Sequence, residues 1–232
     1  MKTIGILGGM AAESTVTYYQ VLNQVVGKAL GDHHSARCIL YSVDFQDIVD
    51  THRSGDPARA ADLLCAAARA LERAGADVLI LATNTMHIVA PQIQAAVGLP
   101  LLHIAQVTAD RLKAEGIERV GLLGTTFTME MDFYKAVLQQ NGLEALIPEQ
   151  QAVRDELHRI IDEELAFGDI KAPSRAFYTS AIEALRDRGA QGVILGCTEI
   201  GLLIGQQDSC LPVFDTARIH AEEAALYALR AD

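Results

Sequence analysis

The 232-residue chain has no tryptophan, no Cys-x-x-Cys pair, no surplus of positive charge and no long apolar run. The last three absences each exclude a class of function. Nineteen Lys and Arg against thirty Asp and Glu leave a net charge of −11, so no broad basic face is expected for a nucleic-acid backbone or an anionic membrane surface. No apolar stretch reaches the roughly 18 residues of a membrane span. Cys38, Cys65, Cys197 and Cys210 lack the spacing of a zinc site or a disulfide framework. No metal ion is expected. The opening MKTIGILGGM runs into glycines without the apolar core or cleavage site of a secretory leader, and the reading is a cytoplasmic protein with free thiols. Six Phe and six Tyr mark no interface patch.

What is present is the composition of an ordinary globular protein, 50% hydrophobic and 21% charged, long enough for one large or two small domains without cross-links. Strand-length apolar runs occur at Thr3 to Leu7, Cys38 to Ser42, Val78 to Ala82, Leu101 to Ile104, Val120 to Leu123, Gly192 to Leu195 and Leu211 to Phe214. Between them lie Ala-rich segments of helical period, as in Ala60 to Ala74, where Leu63, Leu64, Ala67, Ala68 and Leu71 recur three and four apart. This alternation predicts an α/β fold with mainly parallel sheets flanked by helices. Runs with little polar alternation suit strands covered on both faces.

The chain also repeats itself. ALERAGADVLILATNT from Ala70 aligns with ALRDRGAQGVILGCTE from Ala184, an offset of 114 residues. IGILG at Ile4 matches VGLLG at Val120, and LPLLHIA at Leu99 matches LPVFDTA at Leu211, at offsets of 116 and 112. Helix-turn-strand segments of any α/β protein share Gly-Ala turns, but three pairs in one order predict two copies of one unit. No Pro- or Ser-rich linker separates them. The expected lobes are residues 1–100 with 212–232, and 101–211.

Ligands of open α/β sheets bind beyond the carboxyl ends of the strands. Thr83, Asn84 and Thr85 follow one matched strand and Cys197, Thr198 and Glu199 the other, so that Thr83 and Cys197 hold the same place. Both loops precede helical segments, whose unpaired N–H groups favour a carboxylate. The turns at Gly8-Gly9-Met10, with Ser14 and Thr15 beyond, and at Gly124-Thr125-Thr126 share this character. A helix start is expected to lower the Cys197 pKa. The bland readings are a buried small thiol and ordinary turn or cap residues.

The segments GILGGMAAEST (Gly5 to Thr15), TNTMH (Thr83 to His87), LLGTTFTM (Leu122 to Met129), GCTEIGLL (Gly196 to Leu203) and PVFDT (Pro212 to Thr216) resemble those of aspartate/glutamate racemases. The resemblance extends from Ile4 to about His220. It implies two pseudo-symmetric α/β lobes with the active site between them, often a dimer, and racemisation of an amino acid without a cofactor. In such enzymes a cysteine on each side of the α-carbon exchanges the proton. Here the first cysteine is replaced by Thr83, leaving Cys197 as the thiol base and acid. A hydroxyl is far less acidic than a thiol of pKa about 8.5, so Thr83 is expected to donate a proton, through water or with help from His87, rather than rest as an alkoxide. Asn84, Thr85 and Thr198 are expected at the carbanionic carboxylate. Glu199 is carried over as the partner of the substrate ammonium and Met10 as pocket wall; Thr125 is assigned to substrate binding with them. His52, Arg53 and Lys135 are candidates for a side-chain carboxylate, because the lysine that relatives carry in the segment matching Glu163 to Gly168 is missing. Two alternatives stay open: a related cysteine-dependent isomerase or decarboxylase of a small dicarboxylic acid, and an inactive acidic-metabolite binding protein.

Overall fold

The apolar runs without polar alternation become the inner strands of two parallel sheets. In the computed structural model, which describes residues 1–230 with the side chain of His52 excepted, the first sheet contains β1 (Ile4–Gly8), β2 (Cys38–Ser42), β3 (Val78–Leu81) and β4 (Leu101–Leu102). Helices α1 (Ala12–Leu30), α2 (Phe45–Ser54), α3 (Pro57–Arg73) and α4 (Ala90–Ala96) connect its strands. After α5 (Ile104–Ala114) the second sheet contains β5 (Arg119–Leu123), β6 (Glu144–Leu146), β7 (Gly192–Leu195) and β8 (Val213–Asp215). Its helices are α6 (Thr126–Glu130), α7 (Asp132–Gln140), α8 (Gln151–Glu163), α9 (Ala172–Asp187) and α10 (Ile200–Leu203), and α11 (Thr216–Leu229) follows.

Both sheets have the same order, β2-β1-β3-β4 and β6-β5-β7-β8. The duplication reaches the hydrogen-bond register. Ile4 pairs with Val78 as Val120 pairs with Gly192, and Leu79 with Leu101 as Val193 with Val213. These are the offsets of 116, 114 and 112 found in the sequence. All residues of β1, β3 and β7 are buried, as is β5 after Arg119, whereas the edge strands are half-buried or exposed except at Phe214. The short edge strand β6 carries no apolar run and was not expected.

The chain divides into two compact units, Met1–Ile104 with the chain from His220 onward, and Ala105–Ile219. These bounds lie four and eight residues beyond those expected at 100 and 211. Val213–Asp215, grouped in the sequence with the first lobe, pairs with β7 and belongs to the second unit. Leu101–Leu102, grouped in the sequence with the second lobe, pairs with β3 and belongs to the first unit.

Each unit has its own core. In the first, α3 starts where Asp56 accepts the Arg59 N–H and Pro57 opens the helix. Its buried face, Ala60, Leu64, Ala67, Ala68 and Leu71, packs with Leu7, Leu79 and Leu81. Burying a leucine such as Leu64 contributes about 2 kcal/mol. The second core sets Tyr178, Ala181, Ile182 and Leu185 of α9 with Leu123, Val193 and Leu195. One close approach is common to both. A Cβ on Gly5 would lie 3.4 Å from Leu71 Cβ, and one on Gly121 would lie 3.4 Å from Leu185 Cβ. Glycine at the start of the central strand lets the helix sit down on the sheet.

Candidate active site

The matched strand ends carry matched hydrogen bonds. The Ala82 N–H donates to Leu7 O at 2.8 Å, and the Gly196 N–H donates to Leu123 O at 2.6 Å. Thr83 and Cys197 are therefore the first residues released from equivalent sheet positions. Thr83, Asn84, Thr198 and Glu199 are buried, Cys197 and Thr85 half-buried.

In the second unit the thiol is tied to a carboxylate. Cys197 Sγ donates to Glu199 Oε2 at 2.8 Å, and Thr198 Oγ1 donates to the same oxygen at 3.1 Å. Burial pushes the Cys197 thiol well above its ordinary pKa, and the Glu199 carboxylate pushes it further. The backbone N–H groups of Thr198 and Glu199 act in the lowering direction and are the lesser causes. This corrects the expected activation by a helix start. The helix that follows is the four-residue α10, too short to offset a carboxylate in contact. Cys197 therefore rests as a thiol. Beneath this loop, buried Tyr178 donates to Leu157 O at 3.1 Å, and burial raises its pKa well above the ordinary value.

The PVFDT motif supports the same loop. Asp215 Oδ1 accepts the N–H groups of Ala217 and Arg218 at the start of α11, and Thr216 Oγ1 donates to Leu195 O at 2.7 Å. A side chain on Gly201 would collide with Asp215 Oδ2. That contact explains the glycine in GCTEIG.

In the first unit Thr83 leads into a tight turn, Thr85–Val89. His87 cannot help Thr83 move a proton. Its Nδ1 lies 2.7 Å from the Thr83 carbonyl oxygen and its Nε2 accepts the Ile104 N–H at 3.2 Å, so both nitrogens are engaged by main chain. Met10 is buried at the end of β1. Beside it the Gly9 N–H donates to Thr15 Oγ1 at 2.9 Å, while the Ser14 and Thr15 hydroxyls donate to Ala11 O. The side chains expected to favour an anion there are engaged within the turn itself.

Thr125 has a similar duty, since its hydroxyl accepts the Thr128 N–H at 3.2 Å and caps α6. Next to it the Thr126 N–H donates to His158 Nδ1 at 3.2 Å. His158 and Tyr178 escaped the sequence reading because helix periodicity says nothing of which strand-end loop a residue meets. Among the cation candidates, Lys135 donates to Glu130 O at 2.8 Å and lies 3.6 Å from Asp132. Arg53 is exposed on α2. The His52 side chain lies outside the described residues. No group of three or more His, Cys, Asp or Glu is placed to hold a metal among the described residues, and no helix there is long and apolar enough to cross a membrane.

Comparison with known proteins shows the family. The chain is 27% identical over 223 residues to the broad specificity amino-acid racemase RacX of Bacillus subtilis (strain 168), covering 92% of both chains. The crystal structure of a candidate Asp/Glu racemase from Yersinia pestis matches at 51% identity and a TM-score of 0.92, over 99% of this chain and 100% of the other. That of PH1733, an aspartate racemase homologue from Pyrococcus horikoshii OT3, matches at 36% identity and a TM-score of 0.85, again over 99% and 100%. The Asp/Glu/hydantoin racemase family model matches residues 7–224, and with its duplicated parallel sheets and paired strand-end loops the chain belongs to that family.

Proposed function

We propose that this amino-acid racemase acts on aspartate or glutamate without a cofactor, by proton transfer at two unequal faces of the α-carbon. The observation that carries this reading is the equivalence of Thr83 and Cys197 at corresponding sheet positions. Racemisation needs an acid and a base on opposite faces, and a duplicated unit supplies two equivalent positions for them.

In the resting enzyme the Cys197 proton points to Glu199. A substrate ammonium beside Glu199 balances the charge that holds the thiol protonated, and Cys197 then passes its proton to water and becomes a base. It removes the α-proton. The charge left on the carbon spreads into the substrate carboxylate, where backbone N–H groups, the Asn84 amide and the hydroxyls of Thr85 and Thr198 stabilise it. Thr83 donates its hydroxyl proton at the other face and is reprotonated from water. Met10 and Thr125 contribute to substrate binding, and the choice among His52, Arg53 and another cation sets side-chain recognition. The enantiomers have equal free energies, so the unequal faces alter rates and KM and leave the equilibrium constant at one.

Exposed Leu40 and Tyr41 on edge strand β2 support a homodimer, and four free thiols support a reducing, cytoplasmic setting. The test is chiral analysis after incubation with L-Asp, D-Asp, L-Glu and D-Glu. The opposite enantiomer should appear from at least one, and Cys197→Ala should reduce conversion by about 100-fold or more. Tight binding without conversion of any of the four would make the chain a binding protein instead.

A further inference from the structure

The mechanism above leaves His87 without a part, although it is buried four residues after Thr83. Its tautomer follows from its contacts. Nε2 accepts the Ile104 N–H, so the ring proton is on Nδ1 and is donated to the Thr83 carbonyl at 2.7 Å. Burial holds the ring well below the ordinary histidine pKa, and nearby His103 and His220 add to that, so the imidazole is neutral. The His103 ring lies edge-on at 4.5 Å between centroids. His220 is engaged in the same way, with Nε2 2.8 Å from Leu102 O and Nδ1 3.0 Å from the Tyr18 hydroxyl. Two neutral histidines thus grip the main chain on either side of His103.

The second unit is built differently at the matched place. The 114-residue offset sets His87 against Gly201, and the Cys197 carbonyl accepts a backbone N–H, that of Ile200, at 3.1 Å. The side-chain clamp therefore belongs to the half that carries a hydroxyl in place of a thiol. A hydroxyl is a reluctant proton donor to carbon, and its rate falls steeply with misplacement.

We propose that His87 is a positioning residue, whose neutral imidazole ties the Thr83 carbonyl to the Ile104 amide and so aims the Thr83 hydroxyl at its face of the substrate. This rests on the two-faced racemase reading. In D₂O, loss of the α-proton signal reports the Cys197 face, and appearance of the opposite enantiomer reports delivery at the Thr83 face. His87→Ala should lower inversion at least about tenfold while exchange stays within a factor of about two. His87→Asn, whose Nδ2 occupies the place of Nδ1, should restore inversion to within a few-fold of wild type. His87→Gln places its amide nearer Ile104 and should not, a comparison that decides the matter if the alanine variant does not fold. Exchange and inversion falling in parallel, or Asn and Gln behaving alike, would overturn the positioning role. Wild-type protein that exchanges no α-proton of any acidic amino acid would overturn the racemase reading and this proposal with it.

Discussion

The Cys197 thiol donates its proton in a hydrogen bond to the Glu199 carboxylate, two residues on in sequence, at 2.8 Å. Replacing the carboxylate by an amide removes the charge that, after burial, raises the thiol most. Glu199→Gln should therefore move the thiolate ultraviolet absorbance, and the rate of alkylation by iodoacetamide, to lower pH. An unchanged onset would mean that burial alone sets the thiol. At the other face Thr83→Cys should raise turnover, since a thiol is a better acid than a hydroxyl; a lower rate would show that the pocket is tuned to threonine. The equivalence of these two residues was legible in the sequence because the repeat sets them on one position. The ionisation of Cys197 was not, since a general expectation about helix starts carries no information on where the Glu199 side chain turns. The same limit applies to His87, whose hydrogen bonds join a turn to a residue beyond the next strand.

At the scale of single elements, the inner strands were readable because burial on both faces leaves unbroken apolar runs, as in Val78–Leu81 and Gly192–Leu195. Edge strands lack that constraint. Glu144–Leu146, exposed at its first residue and half-buried after it, has nothing to separate it from a loop. Val213–Asp215 was seen as a strand but grouped with the wrong sheet, since strand pairing is not written in a single segment. Its neighbour Thr216 offers a test of how β7 is held. The fully buried hydroxyl donates to Leu195 O, and Thr216→Val keeps the shape while leaving that carbonyl without its donor. The expected loss is about 1–2 kcal/mol, measured as a lower urea midpoint; an unchanged midpoint would deny the bond a structural role.

For the whole molecule, the buried neutral histidines of the first unit give stability a pH dependence. His220 is fully buried and burial lowers its pKa to about 4, while the unfolded chain has the ordinary value of about 6.5. Above that value neither state is protonated, and the full stability is present. As pH falls toward 4 the unfolded state takes up a proton that the folded state refuses, so stability declines across this window by about 3 kcal/mol from His220 alone. His87 acts in the same direction. Denaturant midpoints taken from pH 7 down to pH 4 should fall steadily, and a flat profile over this range would contradict the neutral assignment of these rings. The fold class and the duplication were visible at this scale in three sequence offsets; the histidine cluster was not, because Tyr18, His87, His103 and His220 come together only after folding.

The measurement that tests the account most directly is proton NMR of the enzyme in D₂O with each enantiomer of aspartate and glutamate, together with chiral analysis of the product. Loss of the α-proton from one enantiomer, with the other appearing more slowly than exchange proceeds, is the predicted result, because Cys197 serves its face better than Thr83 serves the other. Full activity with equal exchange and inversion from both enantiomers would contradict the unequal faces, and absence of exchange from all four would contradict the racemase.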